Sequence, residues 1–125
     1  MTRGTTRAHL ARAALEAIAL QNVDLVTAMQ ADAGRSINNL RVDGGAAVND
    51  LLMQIQADLL GVQIFRPEMV ESTALGAAKL AALGVGLPPV DTGGETARIR
   101  VFTPSMPVEA RRPLLARWAD AVGRA

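Results

Sequence analysis

The chain has 125 residues, half of them hydrophobic, with no cysteine and a formal net charge of +1. That length suits one ordinary domain with a sizeable core, and the lack of cysteine excludes a disulfide framework and a thiolate metal site. Near-balanced charge and an aromatic complement of only Phe65, Phe102 and Trp118 argue against a nucleic-acid or membrane-surface protein.

With so few rings, Ala, Leu and Val must do the packing, so elements should approach closely. No apolar run reaches the ~20 residues of a membrane-crossing helix. The opening residues, Met1 to Arg7, are polar and lack the apolar stretch of a signal peptide. A soluble, cytoplasmic protein is the expectation.

Residues 1–4 read as a polar lead-in. Thr5 or Thr6 can cap a helix that runs to about Asp32, with Leu15, Ile18, Val23, Leu25, Val26 and Met29 at helical spacing. Gly34 is placed to stop it in the left-handed conformation. His9 has no acidic or nucleophilic partner in view, so it reads as a structural residue rather than a general base.

Ser36 to Asn39 is turn-rich and leads into a strand predicted at 40–42. Then comes the stretch on which the chain is organised: Leu40-Arg41-Val42-Asp43-Gly44-Gly45-Ala46-Ala47-Val48-Asn49-Asp50. Strand, glycine pair and helix in succession have a physical use. Glycine can take positive φ and let a ligand lie against the backbone, and a helix start supplies unpaired N–H groups that suit phosphate. Asn49 can serve as helix N-cap or as donor and acceptor to a bound base. The glycine pair by itself fits a tight turn as well as a ligand contact.

The second helix runs to Leu60 with Leu51, Leu52, Ile55 and Leu59 on one side, and Gly61 ends it. A short strand is predicted at 62–65, and Arg66-Pro67-Glu68 turns the chain. The connection is long enough for a parallel crossover. Ser72 or Thr73 opens a third helix, through Gly84, in which Gly76, Ala77 and Ala78 present almost no side chain. A glycine inside a helix costs roughly 1 kcal/mol against alanine, so close approach by a neighbour is expected there. After Gly86 the composition is that of a linker, residues 87–94. Weak alternation follows at 98–102, and Pro107 can start a last helix with Leu114, Leu115, Trp118, Ala119 and Val122 as its apolar stripe. Trp118 reads as a packing anchor.

Several of these motifs, in this order, resemble the FGGY carbohydrate kinases, and within them the glycerol kinases. The residues that carry the resemblance are Arg41 to Ala46, Asn49, Leu52-Met53-Gln54, Arg66-Pro67-Glu68 and Thr73 to Ala78. The likeness runs nearly the whole length, from Arg3-Gly4-Thr5-Thr6-Arg7 to Trp118-Ala119. Xylulose and gluconate kinases tend to carry a third glycine and a basic residue where this chain has Asp43 and the run from Ala46 to Asn49.

The resemblance implies an α/β fold, part of an actin-like, ribonuclease H-like ATPase lobe. It assigns Gly44 and Gly45 to close contact with a nucleotide, and Asn49 to its adenine or ribose side. It implies a first unit at 1–90, with the adenosine motif at 40–50 and a hinge-type helix at 72–85. Linker, extended segment and last helix would fill 91–125. Only the last quarter of such an enzyme is matched, so the substrate lobe and its catalytic aspartate have no counterpart. Glu16, Asp43, Glu68 and Glu71 match no family base, and Glu16, Glu68 and Glu71 read as surface or capping groups. The implied role is adenosine binding within a glycerol kinase, with weak ATP or ADP binding by this chain alone and Mg²⁺ only in the complete enzyme. The expected partners are the nucleotide, the remainder of the kinase or a second copy, and neither nucleic acid nor membrane. Another FGGY sugar kinase, one piece of a split kinase and a non-catalytic nucleotide-binding module are the alternatives.

Overall fold

A computed structural model of the chain describes residues 2–88 and 98–124. Most of the predicted linker therefore lies outside the described residues. Helix α1 spans Arg7–Ala33, β1 Asn39–Arg41, α2 Asp50–Leu60, β2 Gln63–Pro67, α3 Ser72–Gly84, β3 Ile99–Phe102 and α4 Val108–Val122, with a 3-10 turn at Gly45–Val48 before α2. No helix among the described residues is long and apolar enough to cross a membrane.

Thr6 caps α1, and His9 completes the cap: its Nδ1 lies 3.0 Å from the Thr6 N–H and 2.9 Å from Thr6 Oγ1. His9 is thus a structural residue. At the other end Gly34, at φ +62°, is the expected left-handed stop. The Ile37 N–H then donates to Gln30 Oε1 at 2.8 Å, turning the chain back towards β1.

The three strands form one sheet in the order β1-β2-β3. β1 and β2 are parallel, with Leu40 opposite Ile64, as the crossover through α2 requires. β2 runs on to Pro67, so Arg66 and Pro67 belong to the strand and not to the expected turn. The reason is that β3 lies antiparallel against this end, pairing Arg66 with Arg100 and Pro67 with Ile99.

Helix α2 is the centre of the molecule. Leu52, Met53, Ile55, Ala57 and Leu59 are buried, and so is Gln56, because α1 covers one side and the sheet the other. Gln56 Oε1 accepts from Asn22 Nδ2 of α1 at 3.1 Å, so this buried amide is not left unpaired. Leu51, expected on the core side, is 46% exposed. The core is aliphatic as composition foretold: Ile64 and two alanines, Ala19 and Ala57, reach zero exposure, with Phe102 the one buried ring among the described residues.

The buried face of α1 matches the expected one in part, at Leu15, Val23 and Val26. Ala19 and Val26 are buried, with Leu15, Asn22, Val23 and Gln30 half-buried beside them. Ile18, Leu25 and Met29 point away and are 44–58% exposed. On this face Asn22 meets the buried Gln56 amide of α2, which needs a hydrogen-bonding partner there.

Helix α3 has no buried residue, and Leu80 is 72% exposed. Nothing among the described residues lies within 4 Å of a side chain built at Gly76. The close approach expected there is therefore not made within this chain. In α4, Leu114, Leu115 and Trp118 are half-buried while Ala119 and Val122 are exposed. Trp118 anchors that helix to α1 through its Nε1–H, which donates to Asp24 Oδ2 at 2.7 Å.

Candidate functional site

The glycine turn sits at the C-terminal end of β1, where parallel α/β sheets commonly hold ligands. Val42 still donates to the Phe65 carbonyl at 3.0 Å, and Gly44 donates to the Val70 carbonyl at 2.6 Å. This second bond pins the segment before α3 onto the turn. Gly44 has φ +85° and ψ 170°, a region essentially closed to residues with a Cβ.

Gly45 is different. Its φ is not positive, it is exposed, and a side chain built on it would meet nothing within 4 Å. Nothing inside the described residues calls for glycine at that position.

The helix begins at Asp50, with Asn49 at its N-cap. The 3-10 turn Gly45–Val48 comes first, closed by the Ala47 N–H on the Gly44 carbonyl at 3.0 Å and the Asn49 N–H on the Ala46 carbonyl at 3.2 Å. Asn49 then caps α2: its Oδ1 accepts from the Leu52 N–H at 3.1 Å. Of the two roles open to Asn49, the cap uses only the oxygen. Its Nδ2 donors find no acceptor among the described residues and are exposed beside the turn.

A second arrangement, which sequence reasoning missed, lies just behind. Asp50, the first residue of α2, accepts from Arg66 of β2 at 2.9 Å and from Arg100 of β3 at 2.8 Å. Arg66 also donates to the Ala47 carbonyl at 2.7 Å. Both guanidinium groups lie over the Phe102 ring, 5.2 and 5.1 Å from its centre. A carboxylate thus already occupies the positive end of α2. The phosphate role considered for that helix start is filled from within the chain. An acid at the first helical position, with arginines at alternate strand ends, was the available signal; it needed β3 to be placed against β2.

Asp43, Glu68 and Glu71 stand near the turn, all exposed, whereas Glu16 is far along α1 in a pair with Arg12 at 2.7 Å. Among the described residues no group of three or more His, Asp or Glu side chains could hold a metal ion. The turn therefore offers an open backbone surface with exposed carboxylates beside it.

Residues 1–85 match the model of the C-terminal domain of the FGGY family of carbohydrate kinases. The chain is 60% identical, over 99% of its length, to a glycerol kinase of Dechloromonas aromatica and covers 25% of that protein. It is 58% identical to the glycerol kinase of Aromatoleum aromaticum, covering 26% of it. Among solved structures, a Plasmodium falciparum glycerol kinase with ADP superposes with a TM-score of 0.78 at 34% identity, over 99% of this chain and 25% of that one. A xylulose kinase from Rhodospirillum rubrum gives 0.66 at 29% identity, over 99% of this chain and 26% of that one. The chain thus spans about a quarter of the length of the curated relatives it matches.

Proposed function

Since the chain belongs to the FGGY family of carbohydrate kinases, within the C-terminal domain of that family, we propose that it supplies the adenosine-binding part of a glycerol kinase, the enzyme that phosphorylates glycerol with ATP to glycerol 3-phosphate. The observation that carries this reading is Gly45. A glycine with ordinary backbone angles and open space above it is unexplained by its own chain. It becomes intelligible if a flat ligand lies against that backbone.

Gly44 sets the turn and Gly45 receives the nucleoside. Asn49 keeps its oxygen on the α2 cap and offers Nδ2 to a ring nitrogen or ribose hydroxyl, both acceptors. Because Asp50 fills the α2 end, the phosphates of ATP or ADP point away from it, towards parts of the enzyme beyond these residues. Phosphoryl transfer needs a metal bridging the phosphates and a group accepting the hydroxyl proton; Mg²⁺ and that base belong to the same remainder. The residues here position the nucleoside and do no bond chemistry.

Three surfaces left uncovered among the described residues favour the remainder of a kinase as partner. β1 is an edge strand, the outer face of α1 exposes Leu10, Ile18, Leu25 and Met29, and α3 exposes Leu80 and Leu83. Apolar surface on this scale is usually covered. Titration with ADP followed by calorimetry tests the reading. Weak binding is expected, abolished by Gly45→Val, with the melting temperature little changed because a Cβ at that position has no described atom within 4 Å. ADP binding that survives Gly45→Val undiminished sinks it.

A further inference from the structure

A cavity of about 390 Å³ opens between α1, α2 and α4, on the far half of α2 from the glycine turn. Leu20, Ile55, Leu59, Leu114 and Trp118 line it, and the bond from Trp118 to Asp24 fixes one wall. Its volume lies in the ~300–1,000 Å³ range of small-molecule sites, which are typically apolar with a few placed polar groups.

The charges around it are unevenly committed. Glu16 is paired with Arg12, and Asp120 with Arg124. Asp58 Oδ1 accepts the N–H groups of Ser105 at 2.6 Å and Met106 at 3.2 Å, together with the Gln54 amide at 3.1 Å. Arg117 also lines the cavity, and among the described residues it has neither ion pair nor hydrogen bond. Every carboxylate at the cavity thus has its donors, and one guanidinium has no acceptor.

We propose that this cavity binds a small organic monoanion, with a carboxylate on Arg117 and an aliphatic body against the apolar wall. Guanidinium matches carboxylate in a planar, two-point geometry, and the hydrocarbon part removes apolar surface from water. The site is separate from the nucleotide reading and does not depend on it, since the nearest α2 residue of its lining, Ile55, lies roughly 9 Å along the helix from Asn49.

Trp118 is the only tryptophan of the chain, so its emission reports on the cavity directly. Titration of the whole chain with octanoate should give a saturable change in that emission. 1-Octanol should bind about tenfold more weakly, and Arg117→Gln should weaken octanoate by a similar factor. Arg117 is exposed and makes no hydrogen bond or ion pair among the described residues, so the variant should keep the parent's circular dichroism; Arg117→Lys should recover part of the affinity. Absence of a saturable response, equal affinity for acid and alcohol, or unchanged affinity in Arg117→Gln would each overturn the proposal.

Discussion

The Asp50 carboxylate and the Arg66 guanidinium, 2.9 Å apart, join the first turn of α2 to the middle strand of the sheet. Arg66 is largely buried, 14% exposed along its side chain, and its second nitrogen holds the Ala47 carbonyl inside the 3-10 turn. One side chain therefore fixes both the turn that carries Gly45 and the helix that follows it.

Removing that side chain should loosen the turn. Arg66→Ala leaves the Ala47 carbonyl without its donor and strips cover from Phe102, so a loss of about 1–3 kcal/mol is expected. Arg66→Lys should recover only part of it, because a single ammonium cannot serve two acceptors in that geometry. Asp50 is half exposed, so Asp50→Asn should cost less than Arg66→Ala. Urea melts of the three variants check this order.

The two glycines should separate stability from binding. Gly44→Ala forces a Cβ into backbone angles of +85° and 170°, at a cost of roughly 1–3 kcal/mol. Gly45→Ala meets open space and should leave the melting temperature close to that of the parent while weakening ADP. Equal destabilisation by both would show that the turn needs Gly45 for itself.

Across the α1–α2 interface, the Asn22–Gln56 hydrogen bond should behave as a unit. Asn22→Leu strands the Gln56 oxygen, which belongs to a side chain only 4% exposed, and should cost about 1–3 kcal/mol. Adding Gln56→Met should restore much of the loss, since two apolar partners leave nothing unpaired. A double-mutant cycle measures the coupling.

In solution these residues alone should be helical, self-associating and inactive. The β1 edge offers unpaired backbone groups, and the exposed leucines of α1 and α3 offer apolar area. Light scattering across a concentration series should show association, reduced by Leu80→Glu. A coupled assay with glycerol and Mg-ATP should stay at background until the rest of a related kinase is supplied. A sharp melt independent of concentration, from a clean monomer, would favour a self-sufficient interaction module.

Much of this protein was legible one residue at a time. Gly34 and Gly61 stop their helices in the left-handed conformation, Thr6 and Asn49 cap theirs, and Leu40 and Ile64 fall on paired strands. Such signals are local: they depend on backbone angles and on partners three or four residues away. The order of motifs from Arg41 to Ala78 likewise carried the family, because it lies wholly in the residues themselves.

Tertiary structure alone decided which of two apolar faces α1 buries. Ala19 is buried while Ile18 is 44% exposed, because the face that carries Ala19, Val23 and Val26 is the one that meets α2. It likewise made Arg66 a strand residue and a clamp, since β3 and Asp50 reach it from distant parts of the chain. Gly76, whose sequence setting called for a close neighbour, has none among the described residues. Pairings of this kind are set by which surfaces meet, and a helix with two usable faces does not contain that choice in its own periodicity.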